Sequence, residues 1–290
     1  MTDLGRLGSR LLLAAAWILI GVAAISSAVI VMMQNPGGDA HAYWLASRTG
    51  DLYSRVAMSK DAYLYSPLFA QLIWPLAQLP WPAFGVIWVG LEAAAFVWLV
   101  APLPWRWAVP ALLLTLPELA LGNVVGFLAI ACVLGMSRSA WWSAGALTKV
   151  TPGVLGFAWF AGRGEWRKAA AIVAVSGALA AVSFTTWPSA WEDWLRFLTT
   201  SDKSPGLEVR TVAAIALMVV GGRRGWWWAP AVAVCAVTPV FGGIQPLCYL
   251  LMLPRLWQAL RGSTGWVGRE PRLEVAALSG GQLSVKGDHI

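Results

Sequence analysis

Apolar positions run with few breaks along most of this chain, and the polar interruptions set its plan. Leu11 to Met33 carries no charge and is long enough to cross a bilayer as one helix. Gln34 to Pro67 is the first sizeable polar stretch (QNPGGDAHAYWLASRTGDLYSRVAMSKDAYLYSP), and it holds four of the five tyrosines. Leu68 to Leu79 is apolar but short, broken by Pro75 and followed by Pro80 and Pro82. Further apolar runs fall at about 83–101, 107–121, 123–137, 139–149, 151–162, 168–186, 209–221, 226–238 and 243–257. Nothing alternates at the period of two that a membrane barrel needs. The pattern predicts an all-α, polytopic membrane protein.

Charge fixes the expected orientation. Arg6 and Arg10 precede the first run, so the N-terminus is expected in the cytoplasm and the loop from Gln34 outside. The first run is longer than a signal-peptide core, so it reads as an anchored helix. If Leu68–Leu79 stays at the outer interface, then Arg106, Arg138, Arg163, Arg167, Lys168, Arg223, Arg224, Arg255 and Arg261 all fall inside. If it crosses, the first five change sides, against the positive-inside rule. The first arrangement gives about ten transmembrane helices with both termini cytoplasmic. Its transmembrane domain covers 1–261, with an outer loop at 34–82 and a second at 187–208. The tail 262–290 is polar, rich in Gly and Ser, and expected to be a disordered cytoplasmic segment. In the second loop, Trp187, Trp191, Trp194, Leu195 and Leu198 share one helical face, which predicts an amphipathic helix on the outer leaflet.

Composition agrees and narrows the function. The 290 residues are 58% hydrophobic and 12% charged, against about 25% charged in soluble domains; mean hydropathy is +0.64. A net charge of +7 would suggest nucleic acid in a soluble protein. Here the basic residues are explained by topology, so no nucleic-acid partner is expected. Cys132, Cys235 and Cys248 lie in apolar runs without pairing or metal spacing. There is no P-loop, GxSxG, CxxC or HExxH, so neither a soluble nucleotide site nor a structural metal is indicated.

Candidate chemistry gathers in the outer segments. Asp39 follows Gly37 and Gly38 at the start of a short helix; it can cap that helix or serve as a general base. Tyr43, four residues on, would share its face, and His41 would point elsewhere. Asp51 and Asp61 read as surface or capping acids, and Tyr63 and Tyr65 as interfacial anchors or as lining for an acceptor groove. Lys149 is the one basic residue in a short outer connection, suited to a lipid phosphate or to headgroup snorkelling. Arg210 could serve the same phosphate. Glu92 stands in mid-span, where a carboxylate faces protein or water. Glu118 and Asn123 lie at the outer face, where they could hold a sugar or order the turn.

The order of these motifs resembles glycosyltransferase family 87. It runs D-x-x-x-Y-W (Asp39, Tyr43, Trp44), then Tyr63 to Leu68, PLAQLP, Gly122–Asn123, AGALTKVTPG with Lys149, and the basic loop Arg163 to Lys168. That family contains polyprenyl-phosphate-mannose-dependent mannosyltransferases of the GT-C superfamily. The resemblance implies a GT-C-like bundle with juxtamembrane helices in the first outer loop. It implies Asp39 as the base on the acceptor hydroxyl, Lys149 near the donor phosphate, and the Tyr63–Pro67 segment as part of the cavity wall. The expected site is therefore Asp39 for catalysis, Lys149 and Arg210 for the donor phosphate, and Tyr43, Tyr63, Tyr65, Glu118 and Asn123 around the substrate.

The expected reaction moves a sugar, mannose or arabinofuranose, from a polyprenyl-phosphate donor to a glycolipid or glycan of the cell envelope, with inversion. It takes place at the outer face of the plasma (inner) membrane, with the lipid bilayer as the remaining partner. It calls for no cofactor, with a divalent metal near Asp39 left open. The alternatives are a lipid-linked-sugar transporter, which should show paired halves with broken helices, and a non-catalytic scaffold subunit.

Overall fold

The computed structural model describes residues 3–56, 59–200, 205–238 and 245–261. The tail at 262–290 and residues 201–204 of the second outer loop lie outside the described residues. Among those described, all regular structure is helical. Fourteen α-helices follow one another: α1 Asp3–Gln34, α2 Gly38–Thr49, α3 Pro67–Ala77, α4 Trp81–Val100, α5 Trp105–Leu113, α6 Leu116–Leu121, α7 Val125–Ser137, α8 Trp142–Lys149, α9 Thr151–Gly162, α10 Trp166–Thr186, α11 Pro188–Thr200, α12 Leu207–Arg224, α13 Ala229–Ala236 and α14 Leu253–Arg261. Two 3-10 segments, Ser139–Trp141 and Gln245–Met252, lead into α8 and α14.

Three of these helices have the length and apolarity to cross a hydrocarbon layer unaided: Trp17–Gln34 within α1, then α4 and α10. Their outward faces carry exposed large apolar side chains, among them Ile18, Leu19 and Val22 on α1, Val86 and Val97 on α4, and Val173 and Val182 on α10. Water would penalise such surfaces, and lipid covers them at no cost. The protein is an all-α membrane protein.

The helix ends fall where proline and glycine dictate. Pro67, Pro82, Pro117, Pro152 and Pro230 stand in first turns, where the missing N–H costs nothing. α3 has only 11 residues, about 16 Å of helix, so it cannot span. It packs instead on α2 and touches α8, α10 and α11, as expected for a segment that does not cross. The run 107–121 is broken into α5 and α6 between Leu113 and Leu116. Pro110 inside α5 and Pro117 at the head of α6 explain the break. The spans expected at 139–149 and 151–162 become the hairpin α8–α9, turning at Val150, with α9 packed along α12.

Candidate active site

Two short links tie the α6 turn to the start of α2 and to α4. The Gly37 N–H donates to Ala120 O (2.9 Å), and Trp88 Nε1 on α4 donates to Gly122 O (2.8 Å). Gly122 has φ +69°, and a Cβ there would stand 2.5 Å from the Ala40 Cβ, so only glycine lets the α6 turn approach α2 this closely. Asp39 in the first turn of α2 thereby comes to the Glu118–Asn123 turn. The N-cap of α2 is Gly37, with φ +63° and no side-chain cap, so Asp39 does not serve the capping role. Its carboxylate takes no hydrogen bond or ion pair among the described residues.

The second half of the site arrives with the segment before α3. Ser66 Oγ donates to Leu147 O, which pins this segment to the end of α8 next to Lys149. Tyr65 and Tyr43 meet hydroxyl to hydroxyl at 2.8 Å, and the Tyr65 hydroxyl also reaches Asn123 Oδ1 at 3.4 Å. The Lys149 ammonium stands 5.5 Å from the centre of the Tyr65 ring, within cation–π range. It is half-buried, and the fields of Glu118, Asp39 and Glu92 all reach it. None of these carboxylates closes an ion pair with it among the described residues. Val150, which follows, is held at φ +57°, ψ −60°, a conformation a β-branched residue avoids. Backbone strain of this kind persists where the surroundings over-determine a position, and it often marks functional sites.

The structure thus gathers Asp39, Tyr43, Tyr65, Glu118, Asn123 and Lys149 into one cluster. Tyr43 and Tyr65 are 1% and 5% exposed, so Tyr65 is not the interfacial anchor that sequence offered as one reading. Tyr63 is equally buried; its hydroxyl donates to Ser66 O (2.8 Å) and its ring supports Tyr65, so it shapes the wall. Arg210 is held differently, donating to the carbonyls of Ala236 and Thr238, both at 2.9 Å. His41 is part-exposed and makes its contacts outside the cluster. Its Nδ1 lies 2.7 Å from Asp61 Oδ1, and its ring rests against Trp44 and Trp81. This pairing of His41 with Asp61 was not legible in the sequence.

Glu92 is the main addition. It is 0% exposed on α4, both its oxygens lack a partner among the described residues, and its carboxyl group lies within electrostatic reach of Lys149, Tyr43 and Tyr65. Its isolation in an apolar run was the only sequence signal. Glu118, 2% exposed, also leaves Oε2 without a partner. Among the described residues, three carboxyl groups therefore lie within electrostatic reach of one ammonium. Burial lifts the Asp39 pKa, and Lys149 partly holds it down. Burial also pushes the Tyr43 and Tyr65 hydroxyls well above the usual tyrosine range, so both stay neutral hydrogen-bonding groups. Among the described residues no three His, Cys, Asp or Glu side chains converge as metal ligands.

What the arrangement can do is take a proton at Asp39 and hold an anion near Lys149. Residues 63–206 match the sequence profile of glycosyltransferase family 87. The chain belongs to glycosyltransferase family 87. No curated protein and no solved structure matches it. Membership of family 87 makes the protein a glycosyltransferase. The matched stretch includes Tyr63, Tyr65, Glu92, Glu118, Asn123 and Lys149, whereas Asp39, Tyr43 and Arg210 lie outside it. Asp39 enters the site by geometry alone, through the Gly37 and Gly122 contacts.

α11 is helical as read from the second outer loop, but Trp187 precedes it and its other tryptophans pack into the protein rather than onto a leaflet. Trp191 and Trp194 are buried against Leu68 and Leu147, and Trp191 Nε1 donates to Ser183 Oγ (2.9 Å). Leu195 on the same helix is 57% exposed. The tryptophans thus fasten α11 to the elements that hold Lys149.

Proposed function

We propose that this glycosyltransferase moves a sugar, mannose in our reading, from a polyprenyl-phosphate donor to a hydroxyl of a cell-envelope glycolipid or glycan, with inversion. Asp39 removes the acceptor proton as the acceptor oxygen bonds to the anomeric carbon. The bond from that carbon to the donor phosphate breaks, and the polyprenyl phosphate departs with the electron pair. Lys149 takes up the charge on the leaving phosphate. A base positioned in this way contributes about 10²–10⁴-fold, and a preorganised cation near the developing charge adds a term of similar size. The lipid phosphate is already an activated leaving group, so no nucleotide site is needed. The Glu118–Asn123 turn and Tyr43, Tyr63 and Tyr65 form the substrate wall. Arg210 supports the α12–α13 junction and leaves the phosphate to Lys149.

The observation that carries this reading is the Asp39 carboxylate standing within electrostatic reach of Lys149, neither closing an ion pair among the described residues. Attack from the face opposite the phosphate requires a base and a cation on two sides of one substrate. In our reading the cluster faces the outer side of the plasma membrane and both termini lie in the cytoplasm, following the arginine distribution.

The test is sugar transfer in membranes holding equal amounts of wild type and Asp39→Asn, supplied with radiolabelled polyprenyl-phosphate-mannose and an envelope lipid extract. Transfer by wild type that drops at least a hundredfold in the variant is expected, and NMR of the product should show the inverted anomer. Undiminished transfer by the variant would remove Asp39 as the base. Absence of transfer by wild type from both mannose and arabinose donors would leave a scaffold.

A further inference from the structure

A groove of about 290 Å³ lies between the first outer loop and α11, lined by Asp51, Tyr53, Ser54, Asp193, Arg196 and Phe197. We infer that this groove is a glycan subsite, taking a neutral sugar unit of the acceptor beside the unit whose hydroxyl reacts. Its role in transfer rests on the function proposed above; its capacity to bind sugar does not.

Two walls make the groove. Asp193, Arg196 and Phe197 stand at i, i+3 and i+4 on α11, hence on one face. Asp51, Tyr53 and Ser54 follow α2 in the opposing loop. The Tyr53 and Phe197 rings sit 5.5 Å apart, inclined by 33°, and together form an apolar floor. Arg196 donates to Asp193 at 3.0 Å, which fixes both heads at the rim. Aromatic faces beside carboxylates and a guanidinium suit a sugar ring, with apolar C–H groups on its flat side and hydroxyls at its edge. The hydroxyls donate to the carboxylates and accept from the guanidinium. Two carboxylates against one guanidinium disfavour a phosphate, so the occupant is not a lipid headgroup or the donor phosphate. The volume lies at the lower end for small-ligand sites, about 300 Å³, which suits a short piece of glycan rather than a polyprenyl chain.

The position relative to the chemistry completes the argument. The Tyr53 hydroxyl donates to Tyr65 O at 2.6 Å. The other side of Tyr65 carries the hydroxyl contact to Tyr43 and the Lys149 ammonium over its ring. Tyr65 therefore ties Tyr53 of the groove to the Asp39–Lys149 cluster. A glycan lying in the groove would have its next unit at the cluster.

The experiment uses the full chain in lipid nanodiscs and saturation-transfer NMR, with mannotriose and an arabinofuranose trisaccharide as probes and putrescine as the cationic control. Wild type and Asp39→Asn should both saturate the ring protons of one trisaccharide at millimolar concentration. Asp51→Asn/Asp193→Asn and Phe197→Ala should each weaken that binding about tenfold, the scale of a lost charge-assisted hydrogen bond or aromatic contact. Their melting curves should stay unchanged. No signal from either sugar with wild type, equal binding by the groove variants, or a signal from putrescine alone would overturn the proposal. Trisaccharide binding by a wild type that transfers no sugar would keep the groove and remove the proposed function. Normal transfer with an acceptor KM indifferent to the groove substitutions would do the reverse.

Discussion

Asp39→Asn should change activity and stability in opposite directions. The carboxylate is half-buried, takes no hydrogen bond among the described residues, and lies within electrostatic reach of Lys149. A polar group left unsatisfied in the interior costs about 1–3 kcal/mol, and partial exposure of Asp39 puts it near the lower end, about 1 kcal/mol. The substitution also gives up the attraction of Lys149, but burial outweighs that attraction at Asp39. The pH dependence fixes the sign independently. The folded-state pKa of Asp39 is raised, so the folded protein holds this proton more tightly than the unfolded chain. The stability this confers is fully present below the unfolded pKa of about 3.9 and is lost as pH rises through the folded value. The asparagine variant does not titrate and escapes that loss. Equilibrium unfolding in mixed micelles should therefore show the variant more stable than wild type by about 1 kcal/mol at neutral pH, with the gap closing at acid pH. Sugar transfer should fall about 10²–10⁴-fold. A variant less stable than wild type at neutral pH would mean that the carboxylate is held by contacts that stabilise it, and the reasoning would fail.

Three further outcomes follow from the same geometry. Lys149→Met should cut transfer about 10²–10³-fold, as for other preorganised groups that meet developing charge, without loss of folded protein in detergent, because the lysine closes no ion pair; fluorescence-detected gel filtration checks the second part. The acid limb of kcat/KM for wild type should lie above the ordinary carboxylate range, because Asp39 must be ionised and burial raises its pKa; in a residually active Lys149→Met it should move higher still. Gly156→Ala should destabilise by about 1–3 kcal/mol, since its Cβ would stand 2.3 Å from Cγ of the fully buried Trp142. Trp142 cannot retreat across α7, because Gly135 already abuts its indole on that side. A thermal melt of the purified variant measures the cost.

The division between what sequence revealed and what it hid follows the range of the interactions. Helix positions depend on local patterns of apolar residues and on prolines, so α1, α4, α10 and the amphipathic α11 stand close to their expected places. The break between α5 and α6 carried a signal in Pro110 and Pro117 that apolarity masked. Asp39, Tyr43, Glu118, Asn123 and Lys149 could be named because each is a polar residue where few are expected. Their convergence could not be read, because it depends on Gly122 against Ala40 and Ser66 against Leu147, contacts 82 and 81 positions apart in the chain. The burial of Tyr63 and Tyr65 was hidden for the same reason: tyrosines beside a membrane suit the headgroup zone by type, and only the packing of α2, α3 and α8 encloses them. Arg210 Nη1 donates to the carbonyls of Ala236 and Thr238, a contact across 26 and 28 positions that its place beside an apolar run does not announce.

The placement of strain supports locating chemistry at the α8–α9 turn. α2, α6 and α12 are closed by glycines at positive φ, which cost little. Val150 is different, because a β-branched residue at φ +57° opposes folding by about 1–3 kcal/mol. Glycine at this position would remove that cost, and the chain uses glycine freely elsewhere. A branched residue fixes the backbone more tightly than glycine does, and the residue immediately before it is Lys149. The strain therefore limits how far the lysine backbone can move while its ammonium stays over the Tyr65 ring. Val150→Gly should accordingly raise stability and lower transfer by Lys149-dependent chemistry. A variant that gains stability with unchanged transfer would show that the turn only connects α8 to α9.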